Sequence, residues 1–380
     1  MRPDELAQKI RGGEHIKGQD FKGMRFDGLD LSGGVFGECD FSGASLRGAR
    51  LTESMLDSCR FDDAAFDGAD LQRAAFHKCA LPRASLRQAA MTRTVFSASQ
   101  LQDAQLNGAQ LDLAAFHQSE LGRVHFGGAD LTKAVFGECA LEDARFDDVA
   151  LHTTVFYRAA LRGTGFQGAS FHNVIFSEAD LAGQDFSEQA FHLCQFIDAD
   201  LTGCNFDRAR LSQCNFKGAT LERAVLTGVH APQCLFPEAD LRQADCRGGH
   251  FAQSLWVDAH LADADLSGAQ LTQCIFHRAR CNRTSFARSD LVYADFSYAD
   301  LADADMRGAT FQRTQLHRAM QDGTRWSDRL GVLDNDPALF EAERVAAART
   351  SRPQRAGRDA YGRPLRTPRM STPLPEEPGS

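Results

Sequence analysis

Residues 129–141 read Ala129-Asp130-Leu131-Thr132-Lys133-Ala134-Val135-Phe136-Gly137-Glu138-Cys139-Ala140-Leu141 and place a large apolar residue at every fifth position, Leu131, Phe136 and Leu141. Extended in both directions, the frame holds without a slip from Ile16 to Leu316, giving 61 sites. They hold 27 Phe and 27 Leu, with Ile16, Met91, Ala231, Cys246, Trp256, Cys281 and Met306 filling the rest; of the 28 Phe in the chain only Phe340 lies outside. A helix repeats its apolar face every 3.6 residues and a strand every 2, so neither produces this period. A strict period of five describes a coil that turns about a quarter-circle per repeat, a solenoid.

A second register supports the first. Two residues before each centre the side chain is small: 30 of the 61 are Ala and nine are Cys, with Ser, Thr, Val or Gly at most others. The residue just before the centre is often Asp, as in Ala129-Asp130-Leu131, Ala179-Asp180-Leu181 and Ala299-Asp300-Leu301. This pattern resembles the pentapeptide-repeat family, whose consensus is Ala-Asp/Asn-Leu-x-x, and it covers about four-fifths of the chain. The resemblance implies an all-β fold, a right-handed quadrilateral β-helix with four repeats per coil and one per face. It also implies that the centre and minus-two residues point inward and the other three outward.

Sixty-one repeats make about fifteen coils, and at a strand spacing of about 4.8 Å these form a rod roughly 70 Å long. Four segments are expected: a capping helix over 1–14, the β-helix over 15–319, a C-terminal cap or dimerisation helix over 320–348, and a disordered tail over 349–380. The first is read from Pro3 in the first turn, Asp4 and Glu5 at the positive end, Leu6, Ala7 and Ile10 on one face, and Gly12-Gly13 at the end. Such a helix shields Phe21 and Phe26 at an open solenoid end. The third has Trp326, Leu330, Val332 and Leu333, then Pro337 opening a helix through Phe340 and Val345. The dimerisation reading comes from the resemblance, because gyrase-protecting members dimerise through this region. The tail is rich in Arg and Pro and cannot bury a core.

The net charge is −9, no apolar run reaches 18 residues, and the N-terminus lacks the charged-then-apolar pattern of a signal peptide. The chain reads as a cytoplasmic protein without a membrane span. Nine of the eleven Cys sit at the minus-two register and Cys246 and Cys281 at centres, so all are expected inward as small hydrophobes. Cys39, Cys59 and Cys79 stack in one column, but a dry column offers no tetrahedral cage for zinc. His152, His172 and His192 also stack, joined nearby by His230 and His250. A solvated ladder is the simpler reading than a metal or pH-sensing site. No phosphate-cradling loop, metalloprotease motif or nucleophile elbow is present, and an unbroken frame leaves no loop to carry catalytic groups. No enzyme activity, cofactor or metal is expected.

One face stands apart. Its minus-one positions should point outward, yet they read Val35, Met55, Val95, Val135, Val155, Ile175, Leu235, Leu255 and Ile275. Aligned along a rod, these form an exposed apolar stripe of the kind that marks an interaction site. The competing account is that β-branched residues suit the most strand-like face. A third is that the terminal segments fold back over it.

Two functions follow. The first is a non-enzymatic scaffold that docks another protein, or a second copy of itself, through the stripe or the C-terminal helix. Asp4-Glu5-Leu6, Ile10, Gly13, Ile16, Gly18 and Asp20-Phe21 resemble the start of pentapeptide-repeat proteins associated with bacterial type VI secretion, which implies an accessory or adaptor role in effector delivery. The alternative, implied by fluoroquinolone-resistance members of the family, is a DNA mimic that binds DNA gyrase or topoisomerase and protects it from inhibitors. Charge weighs against mimicry. The repeats and N-terminus carry 32 basic and 42 acidic residues, six of the excess negative charges lying on the face of Phe21, Phe41 and Phe61. That is about one net charge per 7 Å of rod, against about one per 1.7 Å of duplex DNA. Direct nucleic-acid binding is not expected either, since the only basic cluster is the tail.

Overall fold

The computed structural model describes residues 1–350, with side chains to 346. The tail expected to be disordered falls, from 351 on, outside the described residues. The chain divides into two units, 1–334 and a second that begins at 335.

The first unit is a parallel β-solenoid of about sixteen turns. Residues just before the centres pair with those twenty places on: Asp20 with Asp40, Arg25 with Ser45, Asp30 with Arg50, Val35 with Met55. A rung is a pair of backbone bonds, such as Phe21 N–H to Asp40 O at 2.7 Å and Asp40 N–H to Gln19 O at 2.9 Å. The usual corner is a tight turn. Met24 N–H donates to Phe21 O at 3.1 Å, and Gly23 takes φ +63° at its third position, as a type II turn requires. Arg83 and Arg123 occupy the same position at φ 56°. A side chain there costs about 1–3 kcal/mol of backbone strain, which the two flanking rungs hold in place.

Every centre except Phe311 is buried. Phe116, Phe136 and Phe156 stack with centroids 4.9 and 5.1 Å apart and rings within 7° of parallel. The minus-two register is inward too. Most of its buried polar members satisfy themselves on a carbonyl one coil back: Thr94 Oγ1 on Leu71 O at 2.8 Å, Thr154 Oγ1 on Leu131 O at 3.0 Å. All eleven Cys are buried and free. They are more than small hydrophobes, because Cys234, Cys204 and Cys274 thiols donate to Leu211, Leu181 and Phe251 carbonyls at 2.8, 3.0 and 3.0 Å, as a Thr would. Trp256 fills a Phe site, stacked 4.2 Å from Phe236.

The coils are of two kinds. From Val35–Gly37 to Val155–Tyr157, one face carries a three-residue strand in every coil. At Ala150–His152 the extended corner moves to the neighbouring face and continues through Ser170–His172, Ala190–His192 and Arg210–Ser212. Beyond Ser212 the coils hold only single bridges until Thr314. An extended corner leaves the minus-two N–H without its turn carbonyl. Side chains of the next coil accept it: Cys79 N–H donates to Ser99 Oγ at 3.1 Å and Ser99 N–H to Ser119 Oγ at 3.2 Å.

Helix α1, Pro3–Arg11, buries Leu6, Ala7 and Ile10, and Met24 and Leu29 pack beside them at minus-two sites too large for an inner coil. At the far end the coil runs on past Ala319. Asp300 pairs with Met320, Asp305 with Arg325, and Thr314–Gln315 with Val332–Leu333. That last register is eighteen residues, so the final coil is two residues short. Phe311 meets Trp326 at 5.6 Å, with the Arg329 guanidinium 4.8 Å from the Trp326 ring. In the second unit, helix α2 spans Pro337–Thr350, and Asp336 Oδ1 accepts the N–H groups of Ala338 and Leu339 at 2.9 and 3.0 Å.

Candidate protein-docking face

The pleat of a strand sends the centre inward and its two neighbours out, so the stripe residues stand on the outer surface. Met55, Val95, Val135 and Leu235 are 56, 41, 39 and 36 % exposed, and the other five are partly exposed. The ladder joins them in one column: Val35 to Met55, Val135 to Val155, Val155 to Ile175, Leu235 to Leu255, and Leu255 to Ile275. The column is interrupted in a way that naming its apolar members conceals. Ala75 and Ala115 stand within the first run, and Gln195 and Asn215 separate Ile175 from Leu235. Two apolar runs result, 35–175 and 235–275. At the head of the first, Val35, Met55, Ala75 and the His77 ring bound a shallow depression of about 290 Å³.

Strand propensity fits Val35, Val95, Val135 and Val155, which lie in strands, but not every member of the column. Ala75 and Ala115 lie inside three-residue strands without being β-branched. Leu235, Leu255 and Ile275 lie on single bridges in tight-turn coils, yet are large, apolar and outward. The terminal helix α1 packs on the first coil through Leu6, Ala7 and Ile10.

The histidines form the ladder their spacing implies. His152 and His172 stack at 4.8 Å and 4°, His172 and His192 at 5.2 Å and 32°, while His230 and His250 tilt by 53° at 5.8 Å. Parallel rings send their nitrogen lone pairs side by side, not toward one point. Among the described residues, no group of three or more His, Cys, Asp or Glu converges to hold a metal ion. Burial pushes the Cys139 thiol up to about 11 and Cys204 and Cys274 to about 12.

Many carboxylates are paired across coils. Arg83 grips Asp63 at 2.7 and 2.6 Å, Arg123 grips Asp103 at 2.7 and 2.7 Å, and Arg278 and Arg283 hold Asp258 and Asp263 in the same forked way. A count of charges face by face does not reveal this pairing, although the spacing of twenty between Asp and Arg is the signal that would have found it. No helix of the described residues is long and apolar enough to cross a membrane.

Comparison with known proteins gives the family. The profile described as "Pentapeptide repeat region" matches residues 59–134 and 169–245, and that described as "Pentapeptide repeats (8 copies)" matches 35–73, 239–278 and 284–319. No curated protein matches the sequence. Solved structures with similarity include full-length QnrB1, a plasmid-mediated fluoroquinolone resistance protein, at 17 % identity over 46 % of this chain and 97 % of that one, TM-score 0.29. HetL of the cyanobacterium Nostoc sp. strain PCC 7120, involved in heterocyst differentiation regulation, has 21 % identity over 88 % and 98 %, TM-score 0.14. A thylakoid-lumen protein of Arabidopsis thaliana has 29 % identity over 33 % and 70 %, TM-score 0.16. Together the two profiles span most of the coil, and the chain belongs to the pentapeptide-repeat family.

Proposed function

We propose that the protein is a non-enzymatic scaffold that docks another protein along its apolar column. The observation that carries this is the persistence of large apolar residues at outward sites in both kinds of coil, Val135, Val155 and Ile175 in one and Leu235, Leu255 and Ile275 in the other. Water disfavours each of them, and each buried Val, Ile or Leu side chain contributes about 1.5–3 kcal/mol at a contact. Three or four together suffice for a specific interface once the costs of association are met. A second copy of the chain, meeting the column or α2, is the self-associating form of the same reading. The N-terminal resemblance to type VI secretion-associated members supplies one setting for it, an adaptor in effector delivery.

The DNA-mimic alternative is disfavoured by the forked Asp–Arg pairs, which neutralise carboxylates that a mimic would leave bare. A gyrase supercoiling assay should accordingly show no inhibition or drug protection by purified protein at sub-micromolar concentration.

Changing Val135, Val155 and Ile175 together to Asp should leave the circular dichroism spectrum unchanged, because none of the three faces the core. It should also abolish association, read by light scattering and by capture of partner protein. Unfolding of the triple variant would make these residues structural and end the proposal; a folded variant that still associates would move the site elsewhere.

A further inference from the structure

Away from the apolar column, another outer column alternates charge with a period of one coil: Asp63, Arg83, Asp103, Arg123, Asp143. The first four form two forked pairs. The next position up, where a third arginine would close on Asp143, is Gly163. The Asp143 carboxylate leans over this glycine, and a Cβ there would lie 2.5 Å from Asp143 Oδ1. Among the described residues the Asp143 carboxylate has no hydrogen bond or ion pair, though Arg123 feels its charge.

The vacancy opens onto a fault in the solenoid. Phe146 N–H donates to Gly165 O at 2.8 Å and Gly165 N–H to Ala144 O at 2.8 Å, but the next rung, Gly165 to Asp185, is missing. The Thr164 carbonyl, the Phe166 N–H and both backbone groups of Asp185 therefore lack ladder partners. The cause is in the minus-two register. Thr164 Oγ1 reaches Leu141 O at 3.0 Å, but one coil later Gln184 makes the equivalent bond to Leu161 O with a longer side chain, and the corner is propped apart. Phe166 and Phe186 are accordingly 5.9 Å apart and tilted by 40°, where Phe126 and Phe146 stack at 4.6 Å and 14°. Beside this fault, where Gly163 and Gly165 present no side chain, lies an open notch of about 530 Å³ whose lining includes Asp103, Arg123, Asp143, Arg145, Asp147 and Gly163. Asp103 is bound to Arg123, and Asp147 lies 3.8 Å from Arg145, which leaves Asp143 as the one uncompensated carboxylate among the described residues of the lining.

We propose that this notch receives an arginine side chain from a partner protein, which takes the place in the column that Gly163 leaves empty. The column itself shows the recognition chemistry, since Arg83 and Arg123 each grip the Asp one coil before with two parallel bonds. A guanidinium matches that fork, and a lysine ammonium does not. The site is independent of the apolar column, so either can fail without the other.

The molecule contains its own control. Asp263, Arg283, Asp303 and Gly323 repeat the pattern, with Asp303 leaning over Gly323, but there Arg325 stands at the place of Gly165, its guanidinium 3.4 Å from the Asp305 carboxylate. The probe is a fluorophore-labelled peptide, acetyl-Gly-Ser-Arg-Ser-Gly-amide, beside its citrulline counterpart, which keeps the shape and loses the charge. By fluorescence anisotropy at low salt, the arginine peptide should bind the full chain at least tenfold more tightly than the citrulline peptide. Asp143→Asn should abolish that difference and Asp303→Asn should preserve it. Gly163→Arg should fill the vacancy from within, block the peptide and leave the melting temperature the same or higher, since this register already holds Arg83 and Arg123 at positive φ. Equal binding of the two peptides, no measurable binding of either, an unaltered Asp143→Asn variant, or equal losses in Asp143→Asn and Asp303→Asn would each overturn the proposal.

Discussion

The coils between Val35 and Tyr157 and those between Thr220 and Thr310 share a repeat length and the same apolar columns, yet they turn one corner differently. In the first region that corner is extended and its buried N–H groups are handed to the next coil's side chain, as from Cys79 to Ser99. In the second it is tight, and the N–H closes on its own turn, as Ala279 does on Phe276 O at 3.0 Å. A hydrogen-bonding residue at minus-two is therefore not sufficient for the extended corner. At other corners of the coil, Cys204 and Cys274 take the tight turn, donating their N–H to Leu201 and Leu271 at 3.0 and 3.1 Å, and the coil above each offers only Ala224 and Ala294. In the first region acceptor-bearing residues stand in consecutive coils, in the column Cys39, Cys59, Cys79, Ser99, Ser119, Cys139, whereas on the neighbouring face the extended corner runs through Thr154, Val174, Cys194 and Cys214, of which Val174 offers none. The extended corner of the first region outlasts its acceptors at the point where the pattern changes face, where Cys139 is followed by Ala159.

Truncating the core should cost most and should not distinguish the regions. Phe156→Ala and Phe286→Ala should each cost about 3–5 kcal/mol in denaturant unfolding. Because each coil touches only its neighbours, hydrogen exchange should rise only in the adjoining coils. A loss of protection spreading from one region into the other would show that the two behave as a single cooperative unit.

Serine substitutions should separate the two corners. Ser99→Ala removes the acceptor of the Cys79 N–H and strands a buried donor, at a cost of about 1–3 kcal/mol. In the tight-turn region Ser289 Oγ only donates to Phe286 O at 2.6 Å, so Ser289→Ala should cost about 0.5–1.5 kcal/mol. Equal losses in paired thermal melts would undo the account of the extended corner. Thiol labelling should find few of the eleven Cys reactive in either region without denaturant.

Acid should act most weakly. In the tight-turn region the Arg307 hydrogen bond holds the Asp305 carboxyl below its usual range, with Arg325 adding to it. A lowered folded pKa contributes stability above the unfolded value of about 3.9 that disappears as pH falls through the folded one. Exchange around Asp305 should therefore rise below about pH 4, and a flat profile there would remove the pair from the account.

Much of this was legible in the sequence. The five-residue frame located the buried centres, and the minus-one register located Val135 and Leu235 on the outside. The corner type was not legible, because Ser99 or Cys79 alone registers only as a small inward residue. Such a residue becomes informative only when its neighbour twenty residues on is read with it. The fault at Gly165 was visible as Gln184, an oversized inward residue, but a polar side chain in a small-residue column has no meaning until its carbonyl partner is known. The coil also outruns the frame at Ala319, since Val332 and Leu333 pair at a register of eighteen that a count in fives cannot follow.

Docking along the apolar column can be tested by setting its two runs against each other in one molecule. One triple variant carries Asp at Val135, Val155 and Ile175, the other at Leu235, Leu255 and Ile275. Both should keep the wild-type circular dichroism spectrum and melting temperature, and sedimentation velocity with captured partner, or with the chain alone, should show association lost in at least one of them. Two folded triple variants that associate as the wild type does would contradict the docking role of the column.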